Sequence, residues 1–96
     1  MSREIWDATE LILHIRWRSE LTQTEFGIRL AELVQRDKPF SRTTIARWEN
    51  GTEIPNLTLP FLYALAVIGR TSMDDLFCKL GYGTLFERRY VVVVND

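Results

Sequence analysis

The chain is poor in the residues that most often carry chemistry. Its 96 residues include one cysteine, one histidine, three prolines and five glycines. A single Cys78 excludes an internal disulfide and a cysteine-rich metal site, and it suits a reducing cytoplasm. His14 has no cysteine, second histidine or acid cluster at ligand spacing, so no metal pattern exists. There is no glycine-rich phosphate loop and no acid pair placed by a motif, so neither an enzyme nor a cofactor protein is expected. A charged-then-apolar leader is missing from the N-terminus. The longest apolar run, Leu59 to Ile68, is about half of a membrane span, so no membrane partner is expected. Excess positive charge is missing too. Lys and Arg number 12 against 13 Asp and Glu, for a net charge of −1 and a pI near 5.8. That argues against a polycation that coats nucleic acid. It leaves room for a local basic patch, because binding depends on where charge sits.

What is present suffices for one modest core. Hydrophobic residues make up 46% of the chain, and the length is that of a single domain. Residues 3 to 19 read as a first helix, with Ile5, Ala8, Ile12 and Ile15 at helical spacing. Trp6, Leu13 and Trp17 form a second stripe beside them, which predicts a wide buried face. Arg16 falls on or near that face, and a buried arginine needs a partner. His14 falls opposite and is expected in solvent.

Leu21-Thr22-Gln23-Thr24-Glu25-Phe26 is a strong helix start. Thr22 caps, Glu25 completes a capping box, and Leu21 with Phe26 forms a hydrophobic staple. The second helix runs on through Phe26, Leu30, Leu33 and Val34. Gly27 inside it predicts a second helix crossing closely. Residues 35 to 40 form a polar loop, since Pro39 cannot continue a helix. A fourth helix starts after Thr58, with Pro60 tolerated in its first turn. Leu62, Leu65 and Ala66 give it an apolar face, and Gly69 is expected to stop it. Ser72 caps a fifth helix whose first turn holds Asp74 and Asp75, where the helix dipole favours acids. The tail differs. Phe86 to Val94 ends in Tyr90, Val91, Val92, Val93 and Val94, which are strand formers. No other segment reads as a strand, so its partner is expected to be a second copy. A disordered tail is the alternative.

Ser41 to Gly51 carries the functional signal. Ser41 caps a short third helix, Phe40 and Ile45 staple it, and Gly51 fits a left-handed stop. Ile45 and Trp48 share one face. Thr43, Arg47 and Asn50 face the other way, with Ala46 at their margin and Arg42 on the flank. That outward face holds donors and small groups and no acid, which is what reading base edges in a major groove requires. Between Arg36 and Arg47 four basic residues (Arg36, Lys38, Arg42, Arg47) meet one acid, Asp37.

Taken in order, the Leu-Thr-Gln opening at Leu21, Ser41 to Gly51 ending Trp-Glu-Asn-Gly, Pro55, and the helices at Leu62 to Gly69 and Ser72 to Phe77 resemble the phage-repressor and Cro type of helix-turn-helix domain, the XRE-like regulators. The resemblance covers roughly residues 3 to 80. It implies a mainly α fold, a five-helix repressor-like domain over residues 1–83; the dimerisation strand over 84–96 is read from the valine run alone. It implies that Gln23 touches phosphate at the edge of the site and that Arg42, Thr43 and Arg47 read bases. Ala46 would lie close to the groove, and Thr44 would pack or touch phosphate. Glu49 would pair with Arg16, the arginine already placed near the core face. Two departures stand out. The segment from Leu30 to Ser41 is longer than the usual tight turn. The second helix is therefore expected to extend, with a loop from Arg36 to Phe40 that brings Arg36 and Lys38 near the DNA backbone. The valine-rich tail is the other.

The function implied is a cytoplasmic, sequence-specific regulator of transcription, acting as a repressor and binding double-stranded DNA as a homodimer. Half-sites would mirror the two-fold axis. The chain is too short to add a small-molecule effector pocket. The competing reading is an antitoxin-like interaction module whose tail strand joins a partner's sheet.

Overall fold

The structure, a computed structural model, describes residues 6–81. Each helix opens on a short polar side chain that accepts a hydrogen bond from the backbone N–H three residues on. Asp7 does this for α1 (Ala8–Ser19), Thr22 for α2 (Gln23–Leu33), Ser41 for α3 (Arg42–Asn50), Thr58 for α4 (Leu59–Gly69) and Ser72 for α5 (Met73–Lys79). Such a cap satisfies one of the donors a helix start leaves unpaired. Among the described residues there is no strand. The expected tail strand, including Tyr90, Val91, Val92, Val93 and Val94, and the boundary at residue 83 lie outside the described residues.

The first helix starts at Ala8, five residues later than its apolar spacing predicts. Asp7 is extended, its carboxylate accepts from the Glu10 N–H at 2.8 Å, and Glu10 accepts from the Asp7 N–H at 3.2 Å. This is a second capping box, with Trp6 and Leu11 at the two staple positions. The spacing of Ile5 and Ala8 hid it. The helix ends at Glu20, whose left-handed backbone lets its N–H reach the carbonyls of Arg16 and Trp17.

The core is built around α4, which packs against α1, α2 and α5. Leu11, Ile12 and Ile15 of α1, Phe26 and Leu30 of α2, Ile45 and Trp48 of α3 and Leu76 of α5 meet its Phe61, Leu62, Leu65 and Ile68. The second α1 stripe is not a buried one. Trp17 is mostly exposed and Leu13 half-buried, because the face that α4 and α3 cover is centred on Leu11, Ile12 and Ile15. His14 is half-buried rather than free in solvent. Its ring stacks on Trp6 at 4.3 Å and meets the edge of Trp17 at 5.9 Å. Helical spacing sets His14 away from Ile12 and Ile15, but it could not show that Trp6 lies over the ring and shields it from solvent.

Two glycines act through space. A Cβ on Gly27 would lie 2.1 Å from the Phe40 carbonyl oxygen. The tightest neighbour is thus the backbone of the loop entering α3, and the expected close helix is α3 itself, whose Ile45 Cγ1 lies 3.5 Å from the same point. The Phe40 N–H also donates to the Gly27 carbonyl at 3.2 Å. Gly69 is the last residue of α4, and the left-handed stop is Arg70. Gly69 is small because Ile15 of α1 lies against it, 2.6 Å from where a Cβ would stand. The long segment before Ser41 goes mostly into the connection: α2 ends at Leu33, Val34 is its cap, and Gln35 turns the chain with a positive φ.

Candidate nucleic-acid interface

Helix α3 has nine residues, a length of about 13 Å. Its inner face is held by aromatic contacts. Phe40, Trp48 and Phe61 form a triangle with ring centroids 5.2, 5.6 and 6.4 Å apart. This ties the entering loop, α3 and α4 together. Among the described residues the Trp48 indole N–H is buried with no hydrogen-bond partner, an arrangement that costs about 1–3 kcal/mol. Ser41 and Gly51 mark the two ends as the sequence predicts, and Gly51 takes the left-handed backbone.

The opposite face is polar. Arg42, Thr43, Arg47 and Asn50 are exposed, and Thr44 and Ala46 are half-buried at its margins. The Thr44 hydroxyl lies 3.0 Å from that of Ser41 and so belongs to the cap. Arg42 and Lys38 make no ion pair among the described residues. Arg36 stands 4.2 Å over the Phe40 ring, a cation–π contact that holds its charge beside the start of α3. Arg36 and Arg42 thus flank one end of the helix, Lys38 is exposed in the loop before it, and Arg47 lies further along it.

Glu49, the only acid of α3, is turned inward. Both its oxygens accept from Arg16 of α1, one from Nε and one from Nη2, the latter at 3.0 Å. Gln23 Nε2 donates to Oε1 of the same carboxylate at 3.0 Å, and Arg16 Nη1 donates to the Leu21 carbonyl at 3.1 Å. The carboxylate is 8% exposed and the guanidinium side chain 19%. A forked pair of this kind fixes geometry as well as charge. It ties α1, the start of α2 and the end of α3 into one frame. It also uses one of the two N–H donors of the Gln23 amide, which places Gln23 at the helix junction.

At the start of α2 the backbone N–H of Thr22, followed by its hydroxyl, holds the Glu25 carboxyl below its ordinary pKa. Its charge is directed at the cap. Two residues beyond α3 also bear on the outward face. Glu53 reaches within 3.9 Å of Arg47, both side chains about half exposed. Asn50 Oδ1 accepts from the Thr52 N–H at 2.8 Å and shapes the turn. Neither contact has a periodic signal, because both depend on how the chain turns after Gly51.

Among the described residues no group of three or more His, Cys, Asp or Glu is placed to hold a metal, and no helix is long and apolar enough to cross a membrane. No family model, curated protein or solved structure matches the chain.

Proposed function

We propose that the protein is a sequence-specific DNA-binding regulator of the repressor-like helix-turn-helix type, with α3 lying in the major groove. The observation that carries this reading is the outward face of α3. It offers Arg42, Thr43 and Arg47 with Ala46 at the margin, while the one acid of the helix is withdrawn into the Arg16 pair. An arginine matches the two acceptors of a guanine edge, and a threonine methyl or alanine suits thymine. Arg36 and Lys38, in the loop before the helix, supply phosphate contacts, which set register without reading sequence. Gln23 supports the same junction from inside.

The protein acts as a homodimer whose tail strands pair, presenting two α3 helices to a palindromic operator. Regulation is by occupancy, with repression as the outcome. Selection of bound sequences from random double-stranded DNA tests this. The expected result is one enriched motif with two-fold symmetry. Recovery of unenriched sequence would overturn specific reading, and an asymmetric motif would overturn the dimer.

A further inference from the structure

Helix α4 is buried on most of its circumference, yet Leu59, Tyr63 and Val67 stand out at 65%, 60% and 36% exposure. Four residues apart, they line one stripe, about 12 Å long. A second copy is a poor fit for this stripe alone. Tyr63 offers only part of the about 150–250 Å² an aromatic side chain buries, and a stable dimer takes about 800 Å² per partner. A segment of the same chain needs far less area, since a short tether gives it an effective concentration of about millimolar.

The tail has such a segment. Tyr90 to Val94 is apolar throughout. Extended, five residues cover about 16 Å, close to the length of the stripe. The chain leaves from α5, which itself packs on α4. The nine residues that follow Gly81, up to and including Tyr90, reach up to about 30 Å, enough for either end of α4. Charge sets the direction. Val67 also lines a cleft of about 520 Å³ with Arg18, Arg29, Arg70 and the acid Glu20; Arg29 pairs with Glu32 at 3.6 Å, and Arg18 and Arg70 make no ion pair among the described residues. Asp96 follows the valines, whereas Arg88 and Arg89 precede them.

We infer that Tyr90–Val94 lies along the Leu59–Tyr63–Val67 stripe of its own chain, running in the direction of α4, with Asp96 at the arginine cleft. The inference takes from the proposed dimer only that the tail is extended. Alternate side chains face the helix and the hydrogen-bonding edges stay open. A bare two-stranded ribbon is marginal in water, and packing on a helix is what stabilises it. The α4 stripe would provide that support, and DNA binding is not assumed.

The test uses the full chain in a Cys78→Ser background. Tyr63→Cys is combined in turn with Val91→Cys, Val92→Cys, Val93→Cys and Val94→Cys, and disulfide formation under mild oxidation is followed on non-reducing gels. Because Tyr63 is exposed, its replacement does not endanger folding. The expected result is a bond within one chain at alternate valines. It should form about tenfold or more faster than in an Ile54→Cys control and at a rate independent of protein concentration. Equal rates at all four positions, no excess over the control, or bonds only between chains would overturn the inference. Asp96→Lys should slow the reaction several-fold, and an unchanged rate would overturn the assigned direction. Sedimentation of the parent reads the homodimer separately: a monomer that still cross-links within the chain refutes pairing and leaves the docked tail standing.

Discussion

Glu49→Gln keeps the shape of the side chain and removes its charge, leaving Arg16 without its carboxylate. Breaking a fully buried pair costs about 3–5 kcal/mol, because a charge remains in a poor solvent. Arg16 keeps 19% exposure and its bond to the Leu21 carbonyl, so water and that carbonyl recover part of the loss. The expected cost is about 2–3 kcal/mol, which in a domain of this size lowers the melting temperature by about 10–20 °C. Arg16→Met should cost more, since it strands the less exposed partner with only Gln23 as donor. The double variant should be less damaged than the two losses added together. Thermal melts of the four proteins by circular dichroism give the comparison. Because the pair is mostly shielded, added salt should change the difference little. If both single variants melt with the parent, the frame that joins α1, α2 and α3 contributes nothing and the reasoning fails.

Other perturbations separate packing from charge. Gly27→Ala sets a methyl against the Phe40 carbonyl and should cost about 2–4 kcal/mol. Gly69→Ala meets only the end of Ile15 and should stay within about 1 kcal/mol of the parent, as better helix propensity offsets the crowding. Urea unfolding distinguishes the two. Glu25 has a lowered folded pKa, so its contribution is present above the unfolded pKa and lost as pH falls through the folded one. Glu25→Gln should flatten that acid limb of the stability profile and leave its neutral side the same shape. Glu53→Gln frees Arg47 of its loose partner and removes a negative charge near the DNA. It should tighten binding to the selected site by about 0.2–1 kcal/mol in fluorescence anisotropy, and weaker binding would show that Glu53 positions Arg47.

Local signals were the legible part of this chain. Thr22, Ser41, Thr58 and Ser72 mark four helix starts because capping involves neighbours three residues apart. Asp7 obeys the same rule but was masked by apolar spacing further upstream. The misread residues depend on distant chain. Gly27 answers to Phe40 before Ile45, Gly69 to Ile15, and His14 to a tryptophan lying over its ring. At the candidate site, helical periodicity alone set Thr43, Arg47 and Asn50 outward, Arg42 on the flank and Arg16 on or near the core face. The bond from Gln23 to Glu49 and the approach of Glu53 to Arg47 needed the tertiary fold.

The central claim is that α3 reads DNA through its outward face, and Arg47→Ala tests it most directly. Arg47 is exposed, so the variant should fold as the parent does. Its affinity for the selected site and for a panel of single base-pair substitutions is compared with that of the parent at fixed salt. The expected result is a loss of about 1–3 kcal/mol with preference relaxed at one base pair in each half-site. Equal affinity of variant and parent across the panel would contradict it.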